Sequence, residues 1–311
     1  MVWFFYDSLD AEGKSQLFWA IKHADYTWIL FSMVLGWFSH ISRAIRWRYL
    51  LEPLDYHPKF WNAYHATMIG YVINLTIPRS GEVSRAGFLA RYEGVPVAKS
   101  FGTIIAERVI DLLMLGLIFL IALSLRYDKI MAIINGGGSA AVSGEEKGSN
   151  LYLWIGAGVV AVGIAGLVVV LKNEKLRNRV WGMIKGFLNG VLTVFSLKKK
   201  WAFIGHTFLI WFLYVAMFAV CFQALPQTEG VALEGILAGF IAGTIGVIVT
   251  PGGLGVYPGL IALAIVEFGV SKGHGQGLGW IIWASQNLLL VVAGLISLIF
   301  MPIYNRNKEN A

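Results

Sequence analysis

Asn74-Leu-Thr-Ile-Pro78-Arg79-Ser-Gly81-Glu82-Val-Ser-Arg85, followed on an apolar helical run by Glu107-Arg108-Val-Ile-Asp111, is the stretch on which the reading of this chain turns. In a chain with only 14% charged residues, it sets three arginines and three carboxylates beside or inside sequence that has to sit in lipid. Ionised side chains are costly in hydrocarbon, so their presence there points to a functional site.

The surrounding composition fixes the class. The 311 residues are 57% hydrophobic with a mean hydropathy of +0.66, and several apolar runs reach the ~20 helical residues that a bilayer crossing needs. No stretch alternates apolar and polar residues as a barrel strand does, and a lipid-exposed backbone must satisfy its own hydrogen bonds. The expected fold is therefore an all-α polytopic membrane protein of about 6–8 transmembrane helices. The chain has 36 Gly, 12 Trp and 12 Tyr, the small residues that let membrane helices approach and the aromatics that sit at the interfaces. Cys221 is the single cysteine, which excludes a disulfide framework and a thiolate metal site. The net charge of +7 fits cytoplasmic loops beside anionic lipid, not nucleic acid. No cofactor or metal motif is visible, and without a nucleotide-binding loop direct ATP drive is not expected.

Outward from the opening stretch, residues 1–25 form a short mixed segment in which Met1 to Tyr6 reads as the stump of a longer first helix. A first span runs from Tyr26 to Leu51 and ends in His40, Arg43, Arg46, Trp47 and Arg48. Arg43 and Arg46 share a helical face with Trp47. They read either as a positive-inside anchor snorkelling to the headgroups or as direct ligands of a lipid phosphate. Residues 98–126 form the next span. Glu107 and Asp111 are four apart on it with Arg108 between, roughly 12 to 18 Å beyond Lys99, a depth inside the hydrocarbon zone. Residues 127–150 read as an outer loop, Leu151 to Leu171 as a return span, and 172–200 as a basic amphipathic cytoplasmic segment. Trp201 to Leu225 then crosses outward. Apolar runs at 231–249, 259–270 and 276–302 complete a membrane domain over 26–302, with residues 303–311 as a cytoplasmic tail.

Residues 62–78 are apolar but too short to cross. The flanking segments Arg43 to Lys59 and Arg79 to Lys99 each carry four Lys or Arg, which places both on one side and predicts a re-entrant hairpin broken at Pro78 and Gly81. A second break follows at Thr250-Pro251-Gly252-Gly253-Leu254-Gly255-Val256-Tyr257-Pro258. Whether the runs around it cross or re-enter stays open. Two interrupted segments in corresponding positions of two halves point to an inverted repeat with a site at mid-membrane. The plain alternatives are a pair of Gly-rich turns and a structural ion pair that only fixes the hairpin.

Arg43 to Trp47, the Asn74 to Arg85 stretch, Glu107 to Asp111 and the Pro251 to Gly255 loop together resemble the lysylphosphatidylglycerol synthase transmembrane family, whose members are also described as flippase-like. The resemblance runs from about Asp25 to Pro302. It implies a multi-pass protein of a prokaryotic cytoplasmic membrane and movement of a phospholipid or lipid-linked substrate between leaflets. Two positions depart from the family pattern: Pro258 stands where members usually carry a Glu, and the chain begins short of a full first helix. The resemblance is to the transmembrane region alone, so aminoacyl transfer is not expected to carry over.

The expected substrate-binding set is Arg43, Arg46, Asn74, Pro78, Arg79, Gly81, Glu82, Arg85, Glu107, Arg108, Asp111, Pro251, Gly252, Gly253, Gly255 and Tyr257. The arginines would take the phosphate. The carboxylates would hold those arginines in the empty site, accept an amine, or take a proton. The glycines would let the backbones approach. A membrane-embedded transferase or hydrolase with Glu107 or Asp111 as general base is the rival reading, and a structural or regulatory subunit is a third. A homo-oligomer is compatible with all three.

Overall fold

The computed structural model describes residues 6–7, 9–78, 80–125 and 194–309, with positions 178 and 182 in isolation. Nine α-helices lie among them: α1 (Ala11–His23), α2 (Tyr26–Leu51), α3 (Phe60–Thr76), α4 (Gly81–Glu93), α5 (Val97–Leu125), α6 (Lys200–Val220), α7 (Leu233–Val249), α8 (Val256–Ile265) and α9 (Lys272–Glu309). The helices begin where capping chemistry allows. Asp10 accepts the amide of Gly13 at 2.8 Å to open α1, and Asp25 accepts that of Thr27 at 2.9 Å to open α2, each satisfying a donor that the first turn leaves unpaired. Gly94, at φ 68°, closes α4 in the left-handed conformation that suits glycine. Among the described residues four stretches, Tyr26–Leu54, Val97–Leu125, Lys200–Ala224 and Lys272–Arg306, are long and apolar enough to cross a membrane.

Between these spans, α3 and α7 have 17 residues each. At about 25 Å they fall short of the ~30 Å hydrocarbon core, and each folds back on the helix that follows it. Gly70 on α3 lies against Gly81 at the start of α4 so closely that a Cβ on either would strike the other's carbonyl oxygen. The feet of this hairpin meet where the Lys59 amide donates to the Glu93 carboxylate at 3.0 Å. The second hairpin packs Gly243 and Gly246 on Tyr257, Gly239 on Ile265 and Gly235 on Phe268. Its turn, Pro251–Gly253, runs through Gly252, Gly253 and Gly255 at φ 67°, 73° and 76°, a region that side chains with a Cβ rarely enter. The runs flanking Pro251 therefore re-enter, the option that the sequence left open.

The two hairpins enter from opposite ends. Helices α2 and α6 pack antiparallel: the Asp25 amide donates to the Ala224 carbonyl at 2.9 Å at one end, and Arg46 reaches Thr207 near the other. Helices α3 and α9 are antiparallel too, through Asn62–Asn305 and His65–Ser297. Exchanging α2 with α6, α3 with α7, α4 with α8 and α5 with α9 maps five of the helix pairs onto five others, while the α2·α5 contact has no comparable counterpart. The pairs α3·α4, α4·α5, α3·α9, α2·α9 and α2·α3 become α7·α8, α8·α9, α7·α5, α6·α5 and α6·α7, and all of these occur. The fold is an inverted repeat of a long helix, a broken hairpin and a second long helix. The hairpin tips meet: Leu75 lies beside Gly252, whose carbonyl accepts the Trp283 indole N–H at 2.7 Å from α9.

The charge count that placed the first hairpin needs one correction. Arg43, Arg46 and Arg85 were counted as loop cations, yet they lie on helices and are buried, because helix α5 offers them carboxylates. The hairpin remains anchored at one end by geometry, through Lys59 and Glu93. The outer loop 127–150, the span 151–171 and most of the basic segment 172–200 lie outside the described residues, as do Met1 to Phe5. At the end of that basic segment, Val194 and Leu197 pack with Leu50, Ala106 and Phe203.

Gly81→Ala is expected to lower the thermal stability of the detergent-solubilised protein by about 1–3 kcal/mol, the range for forcing atoms into a packed interior. Gly87→Ala, where an added Cβ meets nothing within 4 Å, is expected to be neutral or stabilising. Equal melting temperatures for the two variants would contradict the close hairpin packing.

Candidate functional site

Helices α2, α4 and α5 converge on one cluster of charge. Asp111 and Glu107 are one turn apart on α5, and Arg43 and Arg46 are one turn apart on α2, so each pair presents one face. Arg43 Nη1 donates to Asp111 Oδ2 at 2.8 Å and Arg46 Nη2 to Asp111 Oδ1 at 2.9 Å. Arg46 Nε lies 3.7 Å from Glu107 Oε1. From the first hairpin, Arg85 Nη1 donates to Glu107 Oε2 at 2.7 Å. The guanidinium carbon of Arg85 sits 3.7 Å from the centroid of the Trp47 ring, a cation–π contact that strengthens as water is removed. All five charged side chains are at least 89% buried.

Helix α6 supplies the third wall. Arg43 Nη2 donates to the Tyr214 hydroxyl at 3.1 Å and Arg46 Nη1 to Thr207 Oγ1 at 3.2 Å, while Trp211 Nε1 faces Asp111 Oδ1 at 3.5 Å. These three residues were absent from the sequence reading. They fall four and three apart on an otherwise apolar helix, so a search for polar atoms at helical spacing along 200–220 would have found them. Thr207, Trp211 and Tyr214 carry no formal charge and drew no attention beside the arginines. Trp47 also donates its indole N–H to Thr103 Oγ1 at 2.9 Å, which fixes the plane on which Arg85 lies.

The balance of the cluster is uneven. Among the described residues three guanidinium groups face two carboxylates, an excess of one positive charge. In and around the cluster Arg85 Nε and Nη2, Arg43 Nε, Arg46 Nε, His40 Nδ1, Ser100 Oγ and the acceptor Glu107 Oε1 have no hydrogen-bond partner among the described residues. A buried donor left unmatched costs about 1–3 kcal/mol, more when charged, and such sites invite an explanation. The chemistry of the donor set suits an anion with several oxygens. Among the described residues no three metal-ligating side chains converge.

The remaining sequence-predicted residues separate into two groups. Glu82 and Arg108 form a pair of their own, Arg108 Nε to Glu82 Oε1 at 2.7 Å, with side chains 38% and 50% exposed. With Gly81 they sit at the inner end of the first hairpin, where Asn74 and Pro78 are exposed; Arg79 lies outside the described residues. Gly252, Gly253, Gly255 and Tyr257 build the turn of the second hairpin, which begins at Pro251. Tyr257 packs on Gly243 and Gly246. These residues shape the meeting of the two tips, and the charged cluster is assembled from other parts of the chain. Arg43 and Arg46 are buried and both are tied to Asp111, whereas Arg48, at the end of α2, donates to the Pro58 carbonyl.

The chain belongs to the lysylphosphatidylglycerol synthase transmembrane family, whose profile, described as the lysylphosphatidylglycerol synthase TM region, matches residues 1–294. It is similar to the glycosyltransferase AglD of Haloferax volcanii, 27% identical over 274 residues that cover 78% of this chain and 44% of that protein. A UPF0104 membrane protein of Methanothermobacter thermautotrophicus is 24% identical over 281 residues, 83% of this chain and 81% of that one. A UPF0104 membrane protein of Methanocaldococcus jannaschii matches over 102 residues at 24% identity, 32% of this chain and 30% of that protein. The chain thus spans less than half of the glycosyltransferase that it resembles. No solved structure matches.

Asp111→Asn is expected to destabilise the protein by about 3–5 kcal/mol, because it strands two buried guanidinium groups at once. Glu82→Gln, at a half-exposed pair, is expected to cost about 1 kcal/mol or less. Thermal unfolding of both variants in one detergent checks the ordering, and the reverse ordering would contradict it.

Proposed function

We propose that this member of the family is a lipid translocase that carries a phospholipid or another lipid-linked anionic headgroup between leaflets, with the buried cluster of Arg43, Arg46, Arg85, Glu107 and Asp111 as its polar station. The observation that carries this reading is the unbalanced positive charge at Arg85. One guanidinium nitrogen is tied to Glu107, while Nε and Nη2 remain for a ligand. A headgroup crosses hydrocarbon slowly because its phosphate must leave water. A site that supplies charge-assisted donors below the surface lowers that barrier, and guanidinium geometry matches phosphate oxygens.

In this reading, Asp111 keeps Arg43 and Arg46 in place whether or not substrate is present, and Glu107 orients Arg85. The half-exposed Glu82–Arg108 pair lies beside the hairpin turn, where a headgroup would enter. The inverted repeat supports alternating exposure of one central site to the two sides. We place the end that carries Arg48, Lys59, Arg91, Lys99, Lys198–Lys200 and Arg306 in the cytoplasm of a prokaryotic cell, by the excess of cations there. The relative named a glycosyltransferase favours a second reading, in which the site holds a lipid-linked saccharide for chemistry performed on it.

Reconstitution into liposomes with fluorescent anionic phospholipid tests both. The wild type is expected to equilibrate the probe between leaflets with headgroup composition unchanged. Arg85→Gln, folded by its melting curve, is expected to slow this by about tenfold or more, the scale of a lost hydrogen bond to a charged group. Unchanged rates in Arg85→Gln would overturn the site, and conversion of the headgroup would favour the enzymatic reading.

A further inference from the structure

We propose that a groove between α2, α3 and α9, apart from the charged cluster, docks one tail of an anionic phospholipid, with the phosphate at Lys59 and the chain running inward toward Trp37 and Leu289. The groove encloses about 640 Å³, within the roughly 300–1,000 Å³ of small-ligand sites. None of its lining residues belongs to the charged cluster. Its inner wall rests on a packed layer in which Tyr64 and Ala293 meet Ala44 and Met68.

The assignment to a lipid comes from the order of chemistry along the groove. At the basic end, Lys59 Nζ stands 5.6 Å from the centroid of the Tyr304 ring, an exposed cation at the rim that attracts anionic headgroups. One turn inward is an amphipathic belt. The His65 ring lies 5.9 Å from that of Trp61, the two planes within 25°, and His65 Nδ1 shares a hydrogen bond with Ser297 Oγ at 2.9 Å. Tyr64 accepts the Trp37 indole N–H at 2.8 Å. Deeper still, α9 offers Ile296, Val292 and Leu289 to the groove. From Tyr304 to Leu289 is roughly 22 Å along the helix, longer than the ~15 Å depth of one leaflet's hydrocarbon. Cation, then aromatic and imidazole edges, then aliphatic wall follows the sequence of phosphate, glycerol ester and acyl chain in a phospholipid. Phe300 and Ile303, which line the groove, are exposed apolar side chains on a helix long and apolar enough to cross a membrane, so an acyl chain suits its opening better than a soluble partner does.

The full-length protein in liposomes, with phosphatidylglycerol bearing a photoactivatable diazirine in its acyl chain, tests the proposal. Labelling is expected to be several-fold denser on peptides containing 61–65 and 289–304 than on the lipid-facing stretch 112–120 of α5. Val292→Trp in the deeper part of the groove, and Ala293→Trp in its wall, are each expected to reduce it to the α5 level. Lys59→Ala is expected to remove the preference for phosphatidylglycerol over phosphatidylcholine while leaving tail labelling. Equal labelling of α5 and the groove, or no response to either tryptophan, would identify ordinary boundary lipid and overturn the site. An unchanged headgroup preference in Lys59→Ala would overturn the phosphate placement. Because Arg85→Gln is expected to retain groove labelling, loss of translocation in that variant and loss of the docked lipid are separate outcomes.

Discussion

Every element around the first hairpin is arranged by one requirement: guanidinium groups taken out of water must find carboxylates. Asp111 meets it for α2 by accepting from Arg43 and Arg46 together, and Glu107 meets it for the hairpin by accepting from Arg85. Breaking a buried ion pair costs far more than forming it gains, so these contacts set the relative positions of three helices that apolar packing alone would leave free to slide. Membrane helices lack a hydrophobic drive to associate and rely on close packing and polar contacts. Here both are present: glycine faces at Gly70 and Gly81, and a charge cluster one turn beyond them.

The two halves share a packing plan and divide the chemistry. The first contributes the arginines and carboxylates, and the second contributes an apolar hairpin whose Gly235, Gly239, Gly243 and Gly246 lie against Phe268, Ile265 and Tyr257. Between the halves, α6 lays Thr207, Trp211 and Tyr214 along α2, so the cluster is closed by a helix from the opposite repeat. The reciprocal contact of Asn62 with Asn305 ties the foot of the charged hairpin to the last helix of the other half. Function and fold are coupled at these seams.

Much of this was readable in the residues. The four-residue spacing of Glu107 and Asp111 on a 29-residue apolar helix announced a buried acidic face, and the shortness of the run ending at Pro78 announced a hairpin. The Pro251 to Gly255 break was visible too, but whether its flanking runs cross or re-enter needed the packing of α7 on α8. What sequence left open was partnership. Arg43 and Arg46 fit an interfacial anchor as well as a ligand of lipid phosphate until Asp111 is seen between them, and periodicity along one helix carries no information about the helix opposite. The same limit hid Thr207, Trp211 and Tyr214. It also grouped the Pro251 to Tyr257 residues with the charges, because both lie at broken segments, whereas their shared property is steric.

The apolar character of the second hairpin has an electrical consequence. From Gly235 to Ile265 no residue carries a formal charge. An elementary charge moved across a membrane potential changes in energy by about 2.3 kcal/mol per 100 mV. The hairpin's carboxylates, Glu234 and Glu267, stand at its feet, so a movement of the tip alone along the membrane normal carries no side-chain charge. The buried charges of Arg43, Arg46, Arg85, Glu107 and Asp111 lie in the other repeat, so the two halves answer a membrane potential unequally.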